Sequence, residues 1–254
     1  MRNQIFLSMI TGIFIGGAAG YLGSLMLSKR MALVAGPLGH LALPGIALAL
    51  LYGFNVSFGA FPFVILGIVL IWLFEIRTKL PMEALTAIVF SSGVAVTFLF
   101  LPIEQAETAL VGDISRITLR ETVVAVIVSS FLFFLLKKMY SGMVLINISE
   151  DLAQSEGINV RKYNLVYLLL IAIIVALGVK MVGGLLTAAL VAIPASAARN
   201  ISAKLTHYAF GAMAIGAVSS VLGILAAEIS ELPSGPLIIL ANMFIFLISI
   251  MFKR

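Results

Sequence analysis

The chain has 254 residues, 62% of them hydrophobic and only 11% charged, with a mean hydropathy of +1.18. A soluble domain carries about 45–50% apolar and about 25% charged residues, and no single core of this length hides so much apolar surface from water. The composition therefore excludes a soluble enzyme, a nucleic-acid module and a disordered tail, and implies a polytopic membrane protein. The net charge of +5 is read by where the basic residues sit, not as a nucleic-acid footprint. Cysteine is absent, which removes disulfides and thiolate metal sites.

In chain order, the runs free of Asp, Glu, Lys and Arg are 3–28, 31–74, 84–103, 122–136, 163–179, 181–198, 205–227 and 232–252. A spanning helix needs about 20 mostly apolar residues. The run 31–74 is long enough for two spans, with a break at Tyr52–Gly59, where Gly53, Asn55, Ser57 and Gly59 make a short polar turn. The run 122–136 is extended outward past Arg120 and Glu121. Barrel strands alternate apolar and polar residues; these runs are apolar throughout, so the sequence predicts an all-α, polytopic transmembrane bundle of about nine spans. The first run lacks a cleavage signature of small residues and is read as a retained span.

Alternate turns are then assigned to opposite sides of the membrane. One side collects Lys29, Arg30, Arg77, Lys79, Lys137, Lys138, Arg161, Lys162, Arg199, Lys204, Lys253 and Arg254, 12 of the 16 basic residues. Arg2, Arg116, Arg120 and Lys180 fall on the other side, with Glu104, Glu107, Asp113, Glu228 and Glu231. The positive-inside rule makes the first side cytoplasmic, so the N-terminus is expected outside and the C-terminus inside.

The longest cytoplasmic stretch is Lys137–Lys162. Within it Ser149 can cap a helix, Glu150 and Asp151 fall in the first turn, and Gly157 can end it. The expected helix covers Glu150–Glu156, with Leu152 and Ala153 as its apolar side. Two readings stand: a surface helix at the lipid headgroups, or a docking helix that passes a push from a soluble partner into the bundle. Within the spans, His40 lies about ten residues into its run, at membrane depth. An ionisable residue there is a functional candidate, the plainer reading being a neutral imidazole bonded to a backbone carbonyl. Imidazole is a ligand for zinc, iron, nickel and copper.

Four segments resemble one family, the membrane-spanning permease of ATP-binding-cassette importers for zinc, manganese or iron. They are Arg30-Met31-Ala32-Leu33 with His40-Leu41-Ala42-Leu43-Pro44-Gly45; Glu150-Asp151-Leu152-Ala153-Gln154-Ser155-Glu156-Gly157-Ile158; Val182-Gly183-Gly184 through Pro194 to Arg199; and Leu232-Pro233-Ser234-Gly235-Pro236. Their order and spacing match over almost the whole chain. The resemblance implies a type II ABC importer-like bundle, with residues 1–254 as one permease domain and a cytoplasmic coupling helix at about 149–157. It implies a homodimer in the plasma (inner) membrane, working with a separate ABC ATPase subunit and an extracytoplasmic metal-binding protein. The divalent metal is then cargo, ATP sits on the partner, and no cofactor is bound permanently. His40 matches the family's metal-contacting position and Glu231 the acidic position before Leu-Pro-Ser-Gly. Glu150, Asp151, Leu152, Ala153, Glu156 and Gly157 match the ATPase-coupling loop. In one respect the chain departs from the pattern: Gly36 stands where the family has an Asp four residues before the His.

No G-x-x-x-x-G-K-[ST] phosphate loop occurs, so ATP-driven work requires another chain. The competing reading is a secondary carrier or channel for a small ion or solute. Carriers place charged residues mid-span for ion coupling, and His40 is the only clearly mid-span ionisable group. An embedded enzyme finds no H-E-x-x-H, Cys nucleophile or paired catalytic carboxylates.

Overall fold

Inside lipid a backbone must satisfy its own donors and acceptors, and an uncharged apolar run does so as a helix. The structure, a computed structural model, describes residues 2–29, 35–54, 56–78, 80, 82–100, 112, 114, 117–184 and 186–252. Eleven helices occupy the described residues and no strand occurs among them: α1 (Arg2–Ser28), α2 (Ala35–His40), α3 (Leu43–Tyr52), α4 (Val56–Thr78), α5 (Met82–Phe100), α6 (Leu119–Ile148), α7 (Glu150–Ser155), α8 (Val160–Val182), α9 (Thr187–Ile201), α10 (Leu205–Ser230) and α11 (Ser234–Met251). Of the charges assigned to a side above, Arg30, Lys79, Glu104, Glu107, Asp113, Arg116, Lys253 and Arg254 lie outside the described residues.

Among the described residues six stretches are long and apolar enough to cross a membrane: Asn3–Ser28, Phe58–Thr78, Leu119–Ile148, Val160–Val182, Leu205–Ser230 and Ser234–Met251. Of the other three runs, two are cut by proline and glycine. In the first, α2 and α3 are separated by the turn Leu41–Ala42, closed by Leu41 N–H to Pro37 C=O and Ala42 N–H to Gly39 C=O. Pro44 opens α3, where its missing N–H leaves no bond unmade. Gly53, at φ 70°, ends that helix. In the second, α8 stops at Gly183, at φ 87°, and α9 has 15 residues, about 22 Å of rise. The third run is α5, of 19 residues, with Ala84–Thr97 its apolar stretch among the described residues.

The first helix is the hub. It packs against α6, α8, α9 and α10, while α4 packs on α3, α5 and α8. Lipid gives helices no hydrophobic reason to associate, so close backbone packing and buried polar bonds must hold them. A Cβ on Gly20 would lie 2.1 Å from Ala212 O, and one on Gly16 would lie 2.5 Å from Gly216 O. Gly23 approaches Val191 O of α9, and Gly45 of α3 meets Gly59 of α4 backbone to backbone. Ser24 Oγ and Tyr140 Oη share a hydrogen bond of 3.1 Å, and Thr11 Oγ1 donates to Thr122 Oγ1 at 3.1 Å. Ser219 Oγ donates to Asn242 Oδ1 at 2.8 Å between α10 and α11. The outer faces are apolar, as lipid requires: Ile127, Phe131 and Phe134 of α6 and Leu240 and Phe244 of α11 are all exposed.

One end of the bundle carries an ion pair between Lys180, near the end of α8, and Glu121, in the first turn of α6. Glu121 also completes a capping box, its Oε2 accepting from Thr118 N–H at 2.9 Å while Thr118 Oγ1 accepts from Glu121 N–H at 3.4 Å.

Two outcomes are expected from thermal unfolding in detergent. Gly20→Ala drives a methyl into the α10 backbone and lowers stability by about 1–3 kcal/mol, whereas Gly17→Ala, whose Cβ would meet Met213 at an ordinary 3.4 Å, leaves the midpoint unchanged or higher. With side chains 35% and 23% exposed, water screens the Lys180–Glu121 pair, so Lys180→Met costs about 1 kcal/mol. Adding Glu121→Gln, which keeps the capping box, recovers part of that loss; an unmoved midpoint in Lys180→Met means the pair contributes nothing.

Candidate functional site

The break in the second run sets His40. It is the last residue of α2, half-buried, with its ring centroid 5.3 Å from that of Phe90 on α5 and tilted 45° to it. Four helices surround α2: α4, α5, α8 and α9. The helix is seated through Gly39, where a Cβ would come within 2.5 Å of Gly184 O. Gly184 lies in the break between α8 and α9. A Cβ on Gly112 would lie 2.2 Å from Gly183 N, and one on Gly235 would lie 2.7 Å from Gly112 O. Ser234 Oγ accepts from Ile114 N–H at 3.1 Å. Four backbone segments thus meet without side chains between them, and His40 is the next residue after one of them. The sequence holds Gly39, Gly183, Gly184 and Gly235 in three separate motifs; nothing in their spacing along the chain announces that they touch.

A neutral imidazole offers one donor and one acceptor and is an acceptable ligand for several transition metals. Among the described residues no group of three or more His, Cys, Asp and Glu gathers around His40 or elsewhere. Gly36 lies within α2 and brings no carboxylate to its face. Glu231 is exposed in the turn joining α10 to α11, at φ 57°, the only described non-glycine residue with positive φ. A cavity of about 350 Å³ between α1, α6 and α10 is lined by Phe14, Phe133, Phe134, Met213, Ser129 and Ser130. It is an apolar recess without a carboxylate.

At the opposite end of α8, the sequence builds α7 by its caps. Ser149, at φ −159° and ψ 121°, accepts from Leu152 N–H on its Oγ at 3.2 Å. Glu150 and Asp151 occupy the first turn. Ile158 N–H reaches back to Ala153 C=O at 2.9 Å and Gly157 N–H to Gln154 C=O at 3.0 Å, with Gly157 at φ 79°, a Schellman ending. The helix has six residues, and Glu156 is its C-cap. Sequence reasoning placed Leu152 and Ala153 on one apolar side. Instead Ala153 is fully buried between α6 and α8 while Leu152 is 47% exposed, because neighbouring residues on a helix point about 100° apart. The outward surface is therefore Glu150, Asp151, Leu152, Gln154, Ser155 and Glu156, all exposed.

Known proteins are similar to this chain in sequence and in fold. The chain is 27% identical over 256 residues to the high-affinity zinc uptake system membrane protein ZnuB of Buchnera aphidicola, covering 98% of each chain. It is 25% identical over 249 residues to the manganese transport system membrane protein MntC of Listeria innocua, covering 96% of this chain and 89% of the relative. The fold matches the structure of PsaBC from Streptococcus pneumoniae in complex with Fab at a TM-score of 0.81 and 24% identity, over 95% of this chain and 89% of the other. The profile of the ABC 3 transport family covers residues 1–253. A bundle of apolar helices cut at two glycine-rich breaks, carrying that profile from end to end, belongs to the ABC 3 transport family.

Proposed function

We propose that this multi-pass protein of the plasma (inner) membrane is the permease subunit of an ATP-driven importer for a divalent transition metal, zinc, manganese or iron, and that all 254 residues form one transmembrane domain. The relatives' names support the cargo class: one is a zinc uptake protein and another a manganese transport protein. The α2–α3 pair, α5 and α9, added to the six long spans, make nine crossings, with the N-terminus outside and the C-terminus cytoplasmic. Lys137, Lys138, Arg161 and Lys162, around α7, support that orientation.

The observation that carries the reading is α7. It is capped at both ends and anchored by Ala153, and its exposed face is acidic. That geometry suits a rigid dock for a soluble ATPase, whose closure would push the bundle between outward and inward openings. Two copies of the chain, two ATPases and an extracytoplasmic metal-binding protein complete the assembly. His40 borders the path, and Glu231 stands at its outer mouth. With Gly36 in place of a carboxylate, the ion meets imidazole and the end of α8, whose dipole presents partial negative charge close to Gly39. The cation is held weakly and passes through.

Replacing Glu150–Glu156 with a Gly/Ser linker is expected to leave the protein folded in detergent while abolishing uptake by the reconstituted complex. Normal uptake by that variant, or uptake that survives ATP depletion and stops when the ion gradient collapses, would overturn the proposal. His40→Ala is expected to reduce metal stimulation of the complex's ATPase by about tenfold, the scale of losing one good ligand interaction; unchanged stimulation across zinc, manganese and iron removes His40 from the path.

A further inference from the structure

A serine inside lipid finds no water, so it folds its hydroxyl onto a carbonyl of its own helix one turn back. Ser92 does so with Ile88 C=O at 2.9 Å, Ser196 with Ala192 C=O at 2.8 Å and Ser220 with Gly216 C=O at 2.7 Å. Ser129 of α6 departs from this pattern. The residue is 1% exposed, and its Oγ has no hydrogen-bond partner. Charges fix its depth: Glu121 and Lys137 lie eight residues to either side of it, about 12 Å along the helix. Ser129 therefore stands near the middle of a hydrocarbon core about 30 Å thick, where an unpaired hydroxyl is costly.

Ser129 also lines the recess of about 350 Å³ between α1, α6 and α10. Gly17 of α1 leaves room for it on one side, and Ala214 of α10 on the other. Phe14 and Phe134 are exposed at its edge, so it opens toward lipid. Phe133 and Phe134 stand edge to face, with centroids 5.6 Å apart at 65°, and Met213 adds a polarisable sulfur. The volume and the lining, aromatic and apolar with two adjacent hydroxyls, are those of a small-molecule site between helices. Chemistry narrows the occupant. A buried water needs about three polar partners, and the lining side chains offer only the hydroxyls of Ser129 and Ser130. An ion at this depth is costly. A plain acyl chain fills the space but leaves Ser129 unpaired. A flat, uncharged ring carrying a carbonyl meets every requirement: its oxygen accepts from Ser129, its faces and edges pack on the phenylalanine rings, and any tail runs out into the bilayer. We propose that this recess is a binding site for a membrane-dissolved carbonyl compound of the isoprenoid-quinone class, with Ser129 as its hydrogen-bond donor.

The test titrates the purified protein in lipid nanodiscs with a benzoquinone bearing one isoprenoid unit, against empty nanodiscs. Saturable binding of one quinone per chain is expected, with one carbonyl infrared band moved to lower frequency by the hydroxyl. Ser129→Ala weakens binding about three- to tenfold, the scale of one neutral hydrogen bond, and abolishes the band shift. Without quinone, the same variant unfolds at an unchanged or higher temperature, because it deletes an unpaired hydroxyl. Ala214→Leu changes an exposed residue, so the fold tolerates it; its side chain fills the recess and weakens binding by about tenfold or more. Binding no greater than to empty nanodiscs overturns the proposal, and so does equal binding by the wild type and both variants, which places the quinone elsewhere. Loss in Ala214→Leu without loss or band change in Ser129→Ala also overturns it, and assigns the recess to acyl chains of the bilayer. A lower unfolding temperature for quinone-free Ser129→Ala shows the hydroxyl paired within the protein and removes the reason for a ligand. None of these readouts involves metal uptake, so the importer reading stands or falls separately.

Discussion

The fold depends on how closely α1 lies against its neighbours. In water, burial of apolar surface would hold these helices together; in lipid the surroundings are as apolar as the side chains, and that drive is gone. What remains is dispersion between atoms in contact, which falls away over fractions of an ångström. Gly16, Gly20 and Gly23 let the α1 backbone touch α10 and α9 directly. That contact sets the depth and rotation of α1, and the polar bonds follow from it: Ser24 reaches Tyr140, Thr11 reaches Thr122, and Ser8 Oγ reaches Ile114 C=O at 2.9 Å. A shift of one residue along α1 would break each of these inter-helix bonds and leave Ser8, Ser24 and Thr122 with only carbonyls of their own helices.

Among the described residues, charged groups near the two ends join helices distant in sequence. Lys180 and Glu121 join α8 to α6 at one end; Lys29 joins the end of α1 to α8 through Asn164 at the other. Between them the described interior is held by glycine contacts and hydroxyl bonds. This division suits a bundle that tilts. Ends fixed by charge can act as pivots, while a middle fixed by small contacts can slide without breaking an ion pair in lipid. His40 sits beside two interrupted helices, next to the Gly39–Gly184 contact just past the end of α8.

Local signals were readable and long-range ones were not. The break after Tyr52 is visible because Gly53 and Asn55 interrupt an apolar run; α3 ends at Tyr52 and α4 starts at Val56, so the break is shorter than the expected Tyr52–Gly59, with Ser57 and Gly59 inside α4. The limits of α7 were visible because Ser149 and Gly157 are residues whose chemistry caps helices. The cut at Leu41–Ala42 and the late start of α9 at Thr187 were not read as breaks. Both fall inside long runs without charge, where composition carries no register. Pro37, Gly39, Gly183 and Gly184 were in view, but a glycine seats one backbone on another only when the second backbone is known. The same holds for the candidate site. The depth of His40 followed from its place in a run, whereas Phe90, and the pairing of Glu121 with Lys180, depend on contacts 50 or more residues apart.

The backbone at Glu231 restricts what evolution can place there. Its φ of 57° lies in the left-handed region that glycine enters freely, asparagine and aspartate tolerate, and β-branched residues resist. Drift at this position is thereby channelled toward small or short-polar replacements. A valine, isoleucine or threonine would force the α10–α11 turn to rebuild, and with it the placement of Ser234 and Gly235. The site can exchange its charge more easily than its shape.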